Sequence, residues 1–277
     1  IKGEYRMYKL IALDMDGTLL NEEKKITERN REAIKKAKEL GVYVVLASGR
    51  PIDGLLKFLE ELDLLGDNDY VLSYNGCLVQ KTKSRDVVCD VTIAGKDLKY
   101  LKRLADEAGL NIHAFSKEKG LITPKENTYT SYEAYHNGID FYINDFSDIK
   151  DDEEIIKVMM IDEPEILEEG MKKLPKEIYE KYSVAKSAPF FLEFFNKKAN
   201  KGEGVKLLAE HLGIKREEII TMGDEMNDFP MIEYAGLGVA MGNACDKIKE
   251  IANYITDTNN NDGVGKVIEE FVIKDRI

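Results

Sequence analysis

From Met7 to about Lys81 the chain alternates short, continuously apolar runs with segments whose apolar residues fall three and four apart. Residues 8–13 read as a buried strand of a parallel sheet, because a half-exposed strand would alternate with polar residues. In residues 26–37 and just beyond, Ala33, Ile34, Ala37 and Leu40 have helical spacing, with Thr27 placed to cap the first turn and Gly41 to end the last. A second apolar run, 42–47, leads into Ser48-Gly49-Arg50 and Pro51, a residue suited to a helix start. A third, 70–74, stops at Asn75-Gly76. This β-α-β-α-β order predicts parallel strands joined by right-handed crossovers.

The texture changes between Ser84 and Pro189. Residues 86–91 alternate, 96–108 and 164–174 read as helices, and 111–115, 157–161 and 182–186 read as strands. The pattern is α+β, with antiparallel pairing on an open sheet. The acidic run 151–154 reads as a solvated connection. The stretch from Phe190 to Phe195 is a strand, either core or part of an aromatic wall near a ligand. The first texture then returns: a helix over 202–212, a strand over 218–222 stopping at Gly223-Asp224, an apolar segment 235–240, a loop at 259–263 and a final helix over 264–272. Two distant blocks with one architecture predict an α/β domain of residues 7–83 and 190–277, interrupted by an α+β domain of residues 84–189. Residues 1–6 read as a leader, non-native or disordered, with Met7 as the native start.

Composition narrows the chemistry. The 277 residues are 43% hydrophobic and 33% charged, enough to bury a core. No window approaches the roughly 18 apolar residues of a membrane span. A net charge of −12 argues against non-specific nucleic-acid or anionic-membrane partners. It also means that an anionic substrate would need a locally positive pocket. Cys77, Cys89 and Cys245 are odd in number and widely spaced, which suits free thiols in a reducing cytoplasm. His113, His136 and His211 show no ligand spacing and read as structural or incidental.

Asp14 and Asp16 close the first strand two residues apart, where alternation would aim both to one side. Like charges so close need a cation or a shared proton, so the pair reads as a metal site, an acid/base pair, or both. Asp16-Gly17 also reads as an ordinary turn. Three more polar clusters follow an apolar strand or open a helix: Ser48-Gly49-Arg50, Asn200-Lys201-Gly202 and the segment from Gly223 to Asp228. Open parallel sheets bind ligands beyond the carboxyl ends of their strands, so all four clusters can converge on one crevice. Asp14, Asp16 and Asp224 are hard oxygen donors without Cys or His, which favours Mg²⁺ over Zn²⁺. Ser48 and the amides around Gly49 can hold a phosphoryl oxygen at a helix N-terminus. Lys201 is a point charge suited to phosphate. Taken singly, Lys201 reads as a surface lysine, Ser48 as a cap, and Asp224-Glu225 or Asn227-Asp228 as caps of the helix that follows.

Together these motifs resemble those of the haloacid dehalogenase superfamily, and the chain is similar to its Cof-type phosphatases, which carry an α/β (type IIB) cap after the third core strand. The resemblance lies in residues 14–18, in Ser48 within 47–50, in Lys201 within 200–202, in 223–228, and in 240–244 and 256–264. It implies a Rossmann-like core with an inserted cap that selects the leaving group. It implies a Mg²⁺-dependent phosphatase acting on small phosphorylated metabolites, sugar phosphates in particular, with no nucleic-acid or membrane partner. Asp14 would be the nucleophile that forms an aspartyl-phosphate, and Asp16 the acid and then the base. Asp224, the Asp14 carboxylate and the Asp16 backbone carbonyl would hold the metal. Ser48, Gly49 and Lys201 would bind the phosphoryl group with the Met15 backbone and Asn227, and Asp228 would support the metal or Lys201 from behind. Asp16 would then be protonated at neutral pH, its pKa raised by nearby negative groups. A phosphomutase and a non-catalytic metabolite-binding regulator are the alternatives. In the insertion, Tyr129, Tyr132, Tyr135 and Asn137 read as a mobile polar-aromatic rim or as a stabilising surface cluster.

Overall fold

The structure, a computed structural model, describes residues 7–274, so the six-residue leader lies outside the described residues. The chain begins with β1 (Leu10–Leu13), α1 (Glu28–Glu39), β2 (Tyr43–Ala47), α2 (Leu56–Glu61), β3 (Tyr70–Ser73), β4 (Leu78–Lys81) and β5 (Val87–Asp90). Next come β6 (Ile93–Ala94), α3 (Gly95–Ala108), β7 (Asn111–Ser116), β8 (Gly120–Thr123), α4 (Thr128–Asn137) and β9 (Phe141–Ile143). They are followed by β10 (Glu154–Ile161), α5 (Pro164–Met171), α6 (Glu177–Lys181), β11 (Tyr182–Ala188) and β12 (Phe191–Asn196). The chain closes with α7 (Lys201–Leu212), β13 (Ile219–Gly223), α8 (Phe229–Tyr234), β14 (Leu237–Ala240), α9 (Asp246–Ile251), β15 (Tyr254–Ile255) and α10 (Gly263–Ile268). Two compact units result. The first runs to Asp90 and resumes at Asn200; the second is Val91–Ala199.

The first unit is built on one sheet, ordered β15-β14-β13-β1-β2-β3-β4-β5. Its strands are parallel from β15 through β3, and β4 and β5 add an antiparallel edge. The strands carry no polar alternation because both faces are covered. Ile11 and Leu13 join Val44, Leu46, Ile220 and Met222 in one apolar cluster, while Leu10 and Ala12 join Val45, Ala47 and Ile219 in another. Helix α1 forms as its sequence predicts: Thr27 Oγ1 accepts from the Asn30 N–H at 3.4 Å, and Ala33, Ile34 and Ala37 make the buried face.

The second unit has the sheet order β11-β12-β10-β7-β8-β9, with β6 also on β10. It is antiparallel except for the β8–β9 pair. Leu98, Leu101 and Leu104 of α3 and Leu167 of α5 share one apolar cluster with Val158 and Met160 of β10.

Both expected domain boundaries need correction. The first unit extends past residue 83, because β5 pairs with β4 in its sheet. The mixed texture of β5 belongs to a half-buried edge strand, not to the insertion. At the other end the first unit resumes at Asn200 and not at residue 190, because β12 lies between β10 and β11. Phe191 and Phe194 make β12 look like a parallel strand of the first unit, yet they are buried in the core of the second, while Phe190 just before β12 is only half-buried. The acidic run is only partly solvated. Asp151 and Asp152 are exposed, but the Glu153 side chain is buried, 2.6 Å from Lys119 Nζ and 3.0 Å from Ser116 Oγ.

Candidate active site

β1 lies between β2 and β13 and runs parallel to both, so Leu13, Ala47 and Gly223 end at one edge of the sheet. Past that edge the Asp14 N–H donates to Met222 O at 3.0 Å, and the chain folds back with Leu20 N on Met15 O at 2.9 Å. The turn needs Gly17. Its φ is +85°, and a Cβ there would sit 2.2 Å from Asp224 Oδ2.

Lys201 is the first residue of α7, which is capped by Asn200 Oδ1 accepting from the Glu203 N–H at 2.9 Å. The lysine is fully buried, against the surface reading. Its Nζ hydrogen-bonds Asp14 Oδ1 and lies 2.7 Å from Asp228 Oδ1. Asp228 Oδ2 accepts the N–H groups of Asp224 at 2.9 Å and Glu225 at 3.1 Å. No side chain caps α8, so the helix-cap reading of these residues fails; Asp228 instead reaches back to the two N–H groups that precede it. Asp224 Oδ1 instead accepts from Thr18 Oγ1 at 2.7 Å, and its backbone carbonyl accepts from the Cys245 N–H at 3.0 Å. Asp14, Asp224 and Asp228, all buried, each present an oxygen within 4.8 Å of the others.

One lysine does not neutralise three carboxylates. Burial pushes the Asp14 carboxyl up to about 8, with Lys201 opposing and the Asp228 and Asp224 charges adding to the rise. Burial likewise raises Asp224 to about 6, against the Thr18 hydrogen bond. For Lys201 burial works downward, but Asp14 and Asp228 outweigh it and hold the ammonium charged. The site therefore binds protons more tightly than free carboxylates do, and an added cation would relieve the same excess.

Asp16 differs from its neighbour and from expectation. Strand β1 stops at Leu13, so alternation does not carry on to residue 16. Asp16 Oδ1 lies 2.8 Å from Lys24 Nζ and Oδ2 2.8 Å from Arg50 Nη2. Burial works to raise its carboxyl, but these two cations outweigh it and leave it below the usual carboxylate range. The expected raised pKa is thus reversed in this arrangement, because the near charges are positive.

Ser48 is buried, and its Oγ accepts from the Arg50 N–H at 3.2 Å. Ser48 and Gly49 do not stand at an α-helix N-terminus. A 3₁₀ turn over Ile52–Leu55 separates them from α2, so any anion here would meet loop amides and hydroxyl. Asn227 Nδ2 donates to Asn75 Oδ1 at 3.3 Å. Met15 is wholly buried behind Asp14 in sequence. Lys24 and Asn75 are neighbours of the site without a sequence signal for it, while Thr18 and Asn243 lie in the motif segments and gain a role only here: the Asn243 amide donates to Gly17 O at 2.8 Å. Asn75-Gly76 was legible only as a strand stop.

In the second unit, His113 and Asn137 are buried and held by hydrogen bonds, while the tyrosines of α4 range from stacked to exposed. His113 is buried between Thr130 Oγ1 and Met159 Sδ, both at 3.0 Å, and burial, then the Lys157 charge, drives its pKa well down. On α4, Tyr129 stacks on Phe190 with centroids 5.0 Å apart and Tyr132 stacks on His136 at 5.8 Å, while Tyr135 is exposed. Asn137 Nδ2 donates back to Glu133 O at 2.9 Å.

Residues 11–268 match the family model of the haloacid dehalogenase-like hydrolases. YxeH of Bacillus subtilis (strain 168), named only as a candidate phosphatase, is 43% identical over 96% of this chain and 99% of its own length. YcsE of the same organism, a 5-amino-6-(5-phospho-D-ribitylamino)uracil phosphatase, is 34% identical over 96% of each chain. Among solved structures, a haloacid dehalogenase-like hydrolase from Bacteroides thetaiotaomicron superposes with a TM-score of 0.81 at 35% identity, over 95% of this chain and 98% of that one.

Proposed function

This chain belongs to the haloacid dehalogenase-like hydrolases and is a phosphatase; from that premise we propose that it hydrolyses small phosphorylated metabolites with Mg²⁺, through a phosphorylated Asp14. The observation that carries the reading is the group of buried Asp14, Asp224 and Asp228 at the strand ends, facing a single buried lysine. The donor set fits Mg²⁺: hard oxygens only, with two carboxyls whose proton affinity burial has raised. Asp228 is occupied by Lys201 and two N–H groups, so Asp14 and Asp224, with the Asp16 backbone carbonyl, would hold the ion. When bound, Mg²⁺ neutralises charge on the phosphoryl oxygens.

The chain's own residues do the rest. An Asp14 carboxylate oxygen forms a bond to phosphorus as the ester P–O bond breaks, and Asp16 gives its proton to the departing alkoxide. A water then attacks phosphorus, Asp16 takes its proton, the bond from phosphorus to Asp14 breaks, and inorganic phosphate leaves. Lys201, Ser48, Gly49, Asn227 and the Met15 backbone bind the phosphoryl group. Asp16 rests as the base. An arriving phosphate dianion draws on Lys24 and Arg50 and opposes the Asp16 charge, which favours the protonated form that the first step needs. The ribityl phosphate in the name of the relative YcsE supports sugar and sugar-alcohol phosphates as substrates. Three free cysteines support a reducing cytoplasm as its setting, and no described helix is long and apolar enough to cross a membrane.

The test is a phosphate-release screen over sugar, sugar-alcohol, nucleotide and cofactor phosphates, with acid quenching of a labelled substrate. Label should stay on the protein at Asp14, and EDTA should stop turnover until Mg²⁺ is restored. Undiminished activity in excess EDTA, or label returning to a second hydroxyl of the substrate, would refute the proposal.

A further inference from the structure

We infer that Asn75 is a further phosphate-positioning residue, its side-chain amide bracing Asn227 and presenting an NH₂ donor beside Ser48 and Gly49. The inference rests on the phosphate site proposed above. It begins with the backbone. After β3 ends at Ser73, Tyr74, Asn75 and Gly76 take φ values of +51°, +55° and +84° in succession. Residues with a Cβ visit the left-handed region singly, and only Gly76 does so without penalty. Strain of this kind persists where the surroundings over-determine it, and it collects at functional sites.

The surroundings here are the elements of the site. The Asn75 N–H donates to Ser48 O at 2.8 Å, and the Tyr74 N–H to Arg50 O at 3.2 Å. On the other side Gly76 lies against the start of α7, where a Cβ on it would come 2.4 Å from Asn200 O and 3.1 Å from the Lys201 Cα. The left-handed turn is therefore fastened both to the Ser48 loop and to the backbone that carries Lys201. No local need of β3 or β4 explains such a connection, since a two-residue glycine-bearing turn would join them with less strain.

The side chain points the same way. Asn75 Oδ1 accepts from Asn227 Nδ2 at 3.3 Å. Its Nδ2 is close enough to Gly49 that a Cβ there would meet it at 3.2 Å. Among the described residues this NH₂ has no acceptor in the protein. Asn75 thus links Asn227 to the Ser48–Gly49 loop and keeps a donor in hand where the phosphoryl oxygens are proposed to lie. Asparagine also tolerates positive φ better than most residues, so the bland alternative is that it serves the turn alone.

Two substitutions separate these readings, since both accept the left-handed backbone. Asn75→Gly removes the side chain. Asn75→Asp keeps its shape and the acceptor for Asn227, but puts an anionic oxygen where the NH₂ was. Binding of inorganic phosphate in the presence of Mg²⁺ is measured by titration calorimetry, alongside melting temperature and the KM and kcat of the best ester from the screen. The dissociation constant for phosphate should rise about tenfold in Asn75→Gly and about a hundredfold in Asn75→Asp, the scale of one lost charge-assisted hydrogen bond and of that loss plus repulsion. KM should follow, with kcat changing less and both melting temperatures near that of the native protein. If Asn75→Gly melts early, the natively folded Asn75→Asp decides. Phosphate affinities within twofold of the native protein's, or an Asn75→Asp no weaker than Asn75→Gly, would overturn the inference. A native protein that neither binds phosphate nor releases it from any ester would instead refute the proposed function itself, and the inference with it.

Discussion

Each of the two units buries a lysine between carboxylates, yet the two lysines stand in different company. In the first unit Lys201 meets Asp14 and Asp228 at the ends of parallel strands, with Asp224 close by. In the second unit Lys157 stands in the middle of β10, 3.2 Å from Glu193 and 3.6 Å from Glu133, with its Nζ 4.8 Å from the Phe115 ring centre. Glu193 also accepts from Ser187 Oγ at 2.7 Å, and burial raises the Glu133 carboxyl against the pull of the Lys157 charge. The Lys157 group is a closed polar knot between α4 and its sheet. The Lys201 group is anchored by Thr18 and by backbone N–H groups on its outer side, and it carries one carboxylate more. A buried lysine between carboxylates is therefore not in itself a site. Its place at the strand ends, and the charge left over after every hydrogen bond is counted, make the difference.

Four measurements bear on this contrast. The largest effect should come from Asp14→Asn, which leaves an amide unable to attack phosphorus; turnover should fall by ~10⁴-fold or more and the phosphoenzyme should vanish. Normal turnover would reduce the Lys201 group to a second structural knot. Next, Asp16→Asn should cost roughly 10²–10⁴ in rate. The loss should be greatest for esters with poor leaving groups, and an equal loss across leaving groups would remove Asp16 from the acid role. Third, Lys157→Met should lower unfolding stability by about 3–5 kcal/mol in denaturant titration, because it strands two buried carboxylates. Below its melting temperature it should leave kcat unchanged, and a collapse of kcat in a well-folded variant would place catalysis in both units.

The smallest effect is in pH. Asp14 and Asp224 bind protons more tightly in the folded state than in the unfolded chain, since folding raises them from 3.8 to about 8 and about 6. Between pH 4 and about 8 the metal-free protein then holds more protons folded than unfolded, so its stability falls as pH rises through that window. Melting in EDTA should show a lower midpoint at pH 8 than at pH 6. The drop should shrink in Asp14→Asn, and Mg²⁺ should restore more at pH 8. A flat profile that matches Asp14→Asn would show that the first group has no excess charge to relieve.

Much of the fold was legible because the parallel strands are short and buried on both faces, and their apolar runs betray this directly. The four polar clusters could be read for a related reason. Polar residues at the ends of such strands, as at Asp14, Ser48 and Asp224, have no packing role to explain them. The boundaries at 90 and 200 were misread because strand texture reports burial and not which sheet a strand joins. β5 is half exposed at an edge of the first sheet, while β12 is buried inside the second. The lowered Asp16 pKa is not legible in the sequence, because its cause is the placing of Lys24 and Arg50, 8 and 34 residues on, against its two oxygens. Asn75 carries no signal for the site, because an Asn-Gly pair after a strand reads as a turn whatever else it touches.

The sequence by itself determined the buried parallel strands and main helices of the first unit, the insertion of one unit into another, and which residue types stand at the strand ends. Those follow from local periodicity and from the cost of burying polar groups, both written along the chain. Only the tertiary structure decided the charge state of each group. Lys201 is 187 residues from Asp14, and Thr18 is 206 from Asp224. Electrostatic interactions depend on distance and burial, so a carboxylate's proton affinity is fixed by its neighbours in space and not by those along the chain.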